Sequence, residues 1–256
     1  MDRDPTTRFS SRAGDYARYR PLYPPQLVGV IAEETGLTPD WVVADVGSGT
    51  GRSAQPFLDN GNTVFGVEPD AAMRRAAEAL LHDRTAFRSV AGRAESTGLD
   101  AGSVDLVVAG QAFHWFDASR ARIEFRRILR PPGPVVLLWN TRQTSSTPFL
   151  RAYESLLLAY GTDYARVRHD RRGAEVLESF FDGAYRRRVL PNEQALDLAA
   201  VRGRLASTSY VPGRGEPGHE PMMARLGEIV EAHAVEGIVH MIYDLEVYCG
   251  RVGAGG

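Results

Sequence analysis

A glycine-rich segment at residues 45–51, with the sequence DVGSGTG, has the composition of a ligand-binding turn. Glycines let the backbone turn tightly and approach a ligand closely, and the helix predicted to follow offers free N–H groups at its start. Asp45, at the end of the preceding β-branched run, would repel a pyrophosphate seated on such a turn. Its carboxylate therefore favours a nucleotide-like ligand with a cationic head. An aspartate that caps the turn is the alternative.

A second acidic side chain follows the next predicted strand. Glu68 lies 17 residues after Gly51, within the sequence VFGVEPD at residues 64–70. Comparable strand–helix–strand units carry an acidic residue about 20 positions after the glycine turn, where it accepts hydrogen bonds from the ribose hydroxyls. We therefore interpret Glu68 as a ribose ligand. The alternative is an acid that stabilises the dipole of the next helix, a role that suits Asp70 better.

Two further loops lie where strands are predicted to end. The loop 92–95, GRAE, could line an adenine with backbone N–H groups and a side chain, or it could be a surface loop with Glu95 in solvent. The loop 110–117, GQAFHWFD, sets aromatic residues around His114. Aromatic faces attract cations, and histidine can remove a proton near neutral pH. His114 is thus a candidate general base, although its aromatic neighbours could belong to the core and the histidine itself could be structural.

Strands and helices alternate between residues 24 and 140. Short apolar or β-branched runs predict the strands, and helix-forming segments punctuated by proline and glycine lie between them. The strands are predicted at 41–46, 63–67, 87–91, 104–109 and 135–139, and the helices at 26–35, 51–59, 69–82 and 118–129. This alternation predicts a parallel sheet with helices on both faces. Ligands of such sheets bind beyond the carboxyl ends of the strands, where all four motifs fall.

The pattern changes after residue 140. Helices are predicted from 147 to about 160 and at 173–181, 194–207 and 222–233, and strands at 185–190 and 238–252. We place the two late strands at the sheet edge and the helices above the strand ends as a lid. Aromatic and methionine side chains in these helices predict either an apolar acceptor pocket or the core of the lid itself.

The composition excludes several kinds of function. The chain has 256 residues, Cys249 as its single cysteine, no lysine and a formal net charge of −2. One cysteine excludes an intrachain disulfide and a multi-cysteine metal site, and a chain without lysine has no P-loop and no lysine Schiff base. The charge gives no general attraction to nucleic acid, and no run of 18 apolar residues predicts a membrane span. We expect a cytoplasmic monomer or homodimer with no metal, nucleic-acid or membrane partner.

With these motifs the chain resembles the class I S-adenosylmethionine-dependent methyltransferases. The segment 45–51 matches their glycine motif, Glu68-Pro69 their ribose-binding acid, and 92–95 their adenine loop, with Arg93 in place of the usual small acidic or hydroxyl residue. AFHWFD at 112–117 is the most distinctive block, and YARYRPLYP at 16–24 resembles the segment that folds over the cofactor. The likeness is greatest to the small-molecule branch that includes the ubiquinone/menaquinone-biosynthesis and trans-aconitate methyltransferases.

The resemblance implies S-adenosylmethionine as cofactor, S-adenosylhomocysteine as product and a set of site residues. The implied cofactor-binding residues are Tyr16, Arg20, Asp45, Gly47, Ser48, Gly49, Gly51, Glu68, Pro69, Met73, Ala94, Glu95, Gln111 and Ala112. The residues expected to face the substrate are Tyr19, Phe113, Trp115, Arg142 and Tyr210, with His114 as the catalytic residue. Arg142 would hold a carboxylate acceptor, which needs no general base, whereas a hydroxyl acceptor does.

The resemblance also implies an α/β fold, in which a Rossmann-like, doubly wound and mostly parallel seven-stranded sheet carries a helical lid inserted among the C-terminal strands. We expect one domain over residues 1–256. Its predicted parts are a cofactor-covering segment at 1–23, a cofactor-binding core at 24–140, lid regions at 141–183 and 191–236, and edge strands at 184–190 and 237–252.

The expected activity is methyl transfer to a hydroxyl, carboxylate or activated carbon of a small-molecule acceptor, in quinone or secondary metabolism. Three alternatives stay open. One is a relative of the same fold that binds the cofactor without transferring methyl, such as a cyclase acting in the lid pocket. Another is a methyltransferase of RNA or protein. The third is an NAD-dependent oxidoreductase, which the spacing of the glycines and the charge of Asp45 oppose.

Overall fold

The computed structural model describes residues 19–162, 164, 174–208 and 210–253, and these build one seven-stranded sheet with helices around it. In chain order the strands are β1 (Val42–Val46), β2 (Thr63–Val67), β3 (Phe87–Val90), β4 (Leu106–Gly110), β5 (Pro134–Arg142), β6 (Tyr185–Leu196) and β7 (Val239–Arg251). The helices are α1 (Leu27–Thr35), α2 (Gln55–Asp59), α3 (Ala71–Leu80), α4 (Ala118–Ile128), α5 (Pro148–Tyr160), α6 (Ala174–Phe181), α7 (Leu198–Ala206) and α8 (His219–His233). A short 3-10 turn at Phe113–Trp115 precedes α4.

The strand order in the sheet is β3-β2-β1-β4-β5-β7-β6. The first five strands run parallel, and β7 is antiparallel to both β5 and β6. The chain moves outward from β1 to β3 and then returns to β4 on the other side of β1, which creates a switch point between β1 and β4. Ligands of doubly wound sheets bind beside such a point. The order confirms the predicted α/β fold, with helices of the predicted lid inserted between β5 and β7.

The central strands are apolar because helices cover both of their faces. β1 and β4 are buried over most of their length, and so are the first six residues of β5. Parallel strands in doubly wound sheets have this character. Side chains that accept backbone N–H groups begin the helices that follow three of the strand-end loops, since Asp70 caps α3, Asp117 caps α4 and Thr147 caps α5. These caps fix where the chain leaves each loop at the strand ends.

Apolar side chains form one core on each face of the sheet and a third core in the lid. The third core joins residues of α5, α7 and α8 to the start of β7. Tyr153, Tyr210 and Met222 belong to it. The aromatic and methionine side chains after residue 140 therefore include many that stabilise the lid, which is one of the two predicted alternatives.

Strand β6 is longer than the sequence indicated. The prediction ended the strand at residue 190 and began a helix at residue 194, but β6 continues to Leu196 and pairs with β7 over its whole length. Pro191 is tolerated because β6 lies at the sheet edge. Helix α7 begins only after Asp197, whose Oδ1 accepts a hydrogen bond from the N–H of Ala200. The helix prediction was wrong for residues 194–197, and the sheet extends into the predicted lid region 191–236.

Helix α2 is shorter than the predicted helix at 51–59. Residues 51–54 form turns, and the helix begins at Gln55 with Pro56 in its first turn, where a proline has no backbone N–H to leave unpaired. Within the described ranges, no helix has both the length and the apolar character that crossing a membrane requires.

Candidate active site

A cavity of about 470 Å³ opens at the carboxyl ends of β1, β2 and β4 and beside the loop that follows β3. Its volume is in the range of small-molecule pockets. The residues of the predicted set that line it are Gly47, Gly49, Glu68, Pro69, Met73, Ala94, Glu95, Gln111, Ala112 and Trp115. All four sequence motifs therefore contribute to one cavity.

Gly47 lies where the glycine turn comes close to the loop after β4. Its φ is +71°, and a Cβ at this position would lie 2.6 Å from the Cβ of Ala112 and 3.2 Å from Cζ of Phe116. Glycine alone satisfies both the conformation and the spacing. The N–H groups of Gly47 and Ser48 both donate to the carbonyl of Val67, at 2.8 and 3.2 Å. These bonds join the turn to the end of β2.

Glu68 is held at the end of β2 by two backbone groups. Its Oε2 accepts a hydrogen bond of 3.0 Å from the N–H of Gly49, and its Oε1 accepts one of 2.9 Å from the N–H of Asp70. Burial raises the pKa of the Glu68 carboxyl, and these two bonds oppose the rise. Each carboxylate oxygen can accept more than one hydrogen bond, so the side chain can still receive ligand hydroxyls.

Asp45 is completely buried, two residues before Gly47. Its Oδ2 accepts a hydrogen bond of 2.7 Å from Oγ of Ser53, whereas its Oδ1 has no hydrogen-bond partner among the described residues. Burial raises the pKa of Asp45 to about 7; the bond from Ser53 opposes the rise and the charge of Glu68 adds to it. A buried carboxylate oxygen without a partner is costly, so a cationic group bound nearby would stabilise it.

The loop after β3 is tied to the loop after β4. The half-buried side chain of Glu95 accepts a hydrogen bond of 2.8 Å at Oε1 from the N–H of Asp117, the residue that caps α4. Ala94 is buried in the cavity wall. At Gly92 a Cβ would overlap the carbonyl of Thr97, which explains the glycine at the start of this loop.

The loop after β4 brings its backbone and two aromatic rings to the cavity. Gln111 has a φ of +58°, and its N–H donates to the carbonyl of Leu138 at 2.9 Å. This bond holds the loop against β5. Trp115, 38% exposed, and Phe116 line the cavity. Their rings are suited to contact a bound cation.

Phe113 points into the core instead. Its ring centroid lies 4.7 Å from that of Phe180 and 6.1 Å from that of Trp139, and the side chain is buried. It is not among the residues that line the described cavity. The position matches the core alternative, and its contact with substrate stays a prediction.

His114 is exposed, with its ring centroid 4.7 Å from that of Trp115. It is likewise not among the residues that line the described cavity. Its role as general base stays a prediction.

Ser48 and Gly51 support the turn from behind the cavity wall. Gly51 has a φ of +82°, and a Cβ there would lie 2.8 Å from Cδ1 of Leu81 and 3.2 Å from the Cβ of Ala77. Ser48 is buried next to Gly66 of β2. These contacts explain the composition of the turn by packing, and cofactor contacts of the two residues stay predictions.

The described end of the N-terminal segment contacts the lid. The ring of Tyr19 lies against Gly203 of α7, and Nη2 of Arg20 donates to the carbonyl of Ser207 at 3.3 Å. The predicted roles of Tyr19 and Arg20 toward substrate and cofactor stay predictions. Tyr16, the third predicted residue of this segment, lies outside the described residues.

Arg142, the last residue of β5, and Tyr210 both contact Tyr164 of the lid. Arg142 forms an ion pair with Glu154 and donates to the hydroxyl of Tyr164 at 2.9 Å. The ring centroid of Tyr210 lies 5.0 Å from that of Tyr164. A substrate carboxylate on Arg142 would have to compete with Glu154, so the predicted clamp stays a prediction.

The cavity also has lining residues that the predicted set omits. These are Asp70, Arg93, Ser96, Gly110, Phe116, Asp117 and Arg120. Six of them lie inside or next to a motif already singled out, so the motif boundaries could have found them. Arg120 carried no such signal, because its place depends on how helix α4 packs.

Comparisons with known proteins agree with this geometry. A family model described as a methyltransferase domain matches residues 44–137, which contain all four motifs. An uncharacterized methyltransferase of Mycobacterium tuberculosis is 38% identical over 140 residues, and the match spans 55% of this chain and 55% of the relative. An uncharacterized methyltransferase-like protein of Schizosaccharomyces pombe is 27% identical over 227 residues, which cover 87% of this chain and 86% of that protein.

A solved structure from Anaeromyxobacter dehalogenans, of a protein assigned as a type II methyltransferase, has the same fold. It superposes with a TM-score of 0.68 at 22% identity and covers 91% of this chain and 98% of its own. The family model thus matches the part of the chain that holds the four motifs, and the likeness in fold covers most of the chain.

Proposed function

We propose that this chain is a class I S-adenosylmethionine-dependent methyltransferase and transfers a methyl group from S-adenosylmethionine to a small-molecule acceptor. The observation that carries the proposal is the pairing of a buried and a half-buried carboxylate with a glycine turn at one cavity. Glu68 lines the cavity, and Asp45 stands behind it with an unpartnered oxygen. One carboxylate suits hydroxyl donors and the other a cation, a combination that matches a nucleoside with a charged tail.

The residues of the chain fit this cofactor in separate roles. Glu68 would accept hydrogen bonds from the ribose hydroxyls while its backbone partners keep it in place. Ala94 and Glu95 would contact the adenine, and Asp45 would stabilise the ammonium group of the amino-acid end. Gly47 would allow close approach of the backbone, because any side chain there would meet Ala112.

Bound S-adenosylmethionine supplies a methyl group on a sulfonium sulfur, which the acceptor attacks in line while the C–S electron pair stays on sulfur. The protein has to orient and dehydrate the two partners. Trp115 and Phe116 offer aromatic faces to the cation. Tyr19, Phe113, Trp115, Arg142 and Tyr210 remain our candidates for acceptor contacts. His114 is the candidate base if the acceptor is a hydroxyl.

Calorimetric titration of the purified protein with S-adenosylmethionine, S-adenosylhomocysteine and NAD tests the cofactor. We expect micromolar binding of the first two and no binding of NAD. The variant Glu78→Ala, on the exposed face of α3, is the matched control and should bind as the wild type does. Absence of S-adenosylmethionine binding, after any co-purified ligand is removed, would overturn the proposal.

Release of S-adenosylhomocysteine during incubation with a library of small acceptors tests the transfer. We expect stoichiometric formation of the methylated acceptor. Cofactor that binds but is never consumed across hydroxyl, carboxylate and enolisable acceptors would favour the alternative of a binding protein that does not transfer methyl.

A further inference from the structure

A buried arginine in the lid forms no ion pair with a carboxylate of the described residues. Arg204 of α7 is 7% exposed, and the hydrogen bond of its guanidinium within the described chain runs from Nε to the hydroxyl of Tyr243 at 3.4 Å. No ion pair is recorded for it in the parts of the chain that the structure describes. A guanidinium taken out of water without a counter-ion is costly, so buried arginines normally have an anionic partner.

The neighbouring charges do not provide that partner. Glu154 forms its ion pair with Arg142, whose guanidinium also stacks over Tyr153 at 5.0 Å from the ring centroid. The positive charges of Arg204 and Arg142 both oppose the rise that burial causes in the pKa of the Tyr153 hydroxyl. Counted over these three described residues, the cluster of Arg142, Arg204 and Glu154 carries two positive charges and one negative charge. One further negative charge would balance it.

The cluster lies at the same edge of the sheet as the cavity. Tyr243, which contacts Arg204, pairs in β7 with Arg142 at the carboxyl end of β5. On the other side of β5, Gln111 of the cavity wall donates its N–H to the carbonyl of Leu138. An acceptor held by the cluster would therefore be at the edge of the sheet where the cofactor is expected.

The same cluster is connected to the described end of the N-terminal segment. The hydroxyl of Tyr243 donates to Oε1 of Gln194 at 3.2 Å, and Nε2 of Gln194 donates to the carbonyl of Tyr19 at 3.0 Å. The ring of Tyr19 lies against Gly203, the residue before Arg204. Arg204 is thus enclosed between the lid, the sheet edge and this segment, an arrangement suited to an enclosed ligand.

We infer that Arg204 binds the carboxylate of an apolar, monoanionic methyl acceptor. The inference rests on the proposed function and specifies its substrate class. A guanidinium presents two parallel N–H donors that match a carboxylate, and the nearby hydroxyls of Tyr153, Tyr210 and Tyr243 can add hydrogen bonds. A monoanion balances the single excess positive charge of the cluster. A phosphate dianion would leave an excess negative charge in the buried lid.

The test compares acids with matched neutral amides on protein saturated with S-adenosylhomocysteine. Acetate, benzoate and phenylacetate are titrated calorimetrically beside acetamide, benzamide, phenylacetamide and phenyl phosphate. We expect at least one acid to bind tenfold or more tightly than its amide and than phenyl phosphate. No preference for any of the acids over its amide would overturn the inference, and so would a preference for phenyl phosphate.

Two variants identify the residue. Arg204→Gln should weaken binding of the preferred acid at least tenfold while S-adenosylhomocysteine affinity stays within twofold of wild type. Arg202→Gln, exposed on the same helix, should change neither. An unchanged acid affinity in Arg204→Gln would refute the assignment. If this variant does not fold, Tyr243→Phe is the substitute. It removes the hydroxyl that contacts Arg204 and should also weaken binding of the preferred acid.

The two proposals can fail separately. Loss of S-adenosylhomocysteine binding in the wild type would refute the proposed function. Retained S-adenosylhomocysteine binding with no preference for acids would refute only the role of Arg204.

Discussion

The carboxylate of Glu68 and the backbone N–H of Gly49 are joined by a hydrogen bond of 3.0 Å. The bond connects the end of β2 to the glycine turn after β1, and the second oxygen of Glu68 is held in the same way by Asp70. A side chain fixed at both oxygens loses little conformational entropy when a ligand adds hydrogen bonds to it. The geometry thus prepares Glu68 for a diol.

Replacement of Glu68 should weaken cofactor binding more when more of its hydrogen-bond-accepting oxygens are removed. Glu68→Ala removes charged hydrogen bonds worth roughly 1.5–3 kcal/mol each, so we expect S-adenosylhomocysteine affinity to fall about 10- to 100-fold. Glu68→Gln keeps one acceptor oxygen, so its affinity for S-adenosylhomocysteine should fall less. Calorimetry measures both, with Glu78→Ala as the control. Affinities within twofold of wild type in both Glu68 variants would contradict the ribose assignment.

Cofactor affinity should depend on pH through Asp45. Because burial raises the pKa of this carboxyl to about 7, it is largely protonated at pH 6 and largely ionised at pH 8. A cationic head group prefers the ionised form, so S-adenosylmethionine should bind more tightly as the pH rises from 6 to 8. Titrations at three pH values measure the slope. Asp45→Asn should bind weakly and with a flat profile, whereas Asp83→Asn, an exposed control, should keep the wild-type slope.

The same carboxyl should lower the stability of the ligand-free protein at alkaline pH. Its pKa in the folded chain is about 7 instead of the ordinary 3.8, so between these two pH values the folded state holds a proton that the unfolded state has released. The resulting stabilisation is complete below pH 3.8 and is lost as the pH rises through 7. Asp45→Asn should therefore raise the melting temperature at pH 8 by about 4 °C and change it less at pH 5. A melting temperature of Asp45→Asn below that of the wild type at pH 8 would show that other groups of the protein stabilise the buried charge.

A methyl group should be tolerated at one glycine and not at another. Gly47→Ala forces a Cβ to within 2.6 Å of the Cβ of Ala112 at a positive φ, so we expect a lower melting temperature and at least tenfold weaker S-adenosylhomocysteine binding. Gly29→Ala, inside α1 with no atom within 4 Å of the added Cβ, should stabilise the protein by about 0.5–1 kcal/mol. Thermal and chemical denaturation compare the two. Equal effects of the two substitutions would mean that the glycine turn and the loop after β4 can move apart to accept a methyl group at residue 47.

Breaking the ion pair in the lid should cost more than breaking one at the surface. The side chains of Arg142 and Glu154 are 11% and 10% exposed. Glu154→Gln leaves a buried guanidinium without its counter-ion, and we expect the free energy of unfolding to fall by about 3–5 kcal/mol. The exposed pair of Arg225 and Glu228 is the comparison, and Glu228→Gln should change stability by about 0.5 kcal/mol or less. Urea denaturation distinguishes these outcomes, and similar losses in both would contradict a tightly packed lid.

The sequence alone determined the features that depend on local chemistry. Apolar and β-branched runs predicted the central strands β1, β4 and β5, because a strand buried on both faces has few polar positions. Glycines at 47, 49 and 51 predicted the turn, since each adopts a positive φ that other residues rarely accept. Glu68 could be singled out because the length of a strand–helix–strand unit sets the distance between the glycine turn and the next strand end.

The tertiary structure decided which side chains face one another across the chain. Phe113 and Trp115 belong to one aromatic motif, yet Phe113 packs against Phe180 in the core while Trp115 lines the cavity. Pairing with β7 extended β6 beyond the residue where the pattern favoured a helix, since ladder hydrogen bonds override a weak local preference. Arg204 carried no signal in the sequence, because a buried charge without a counter-ion among the described residues becomes visible only once distant segments have packed around it.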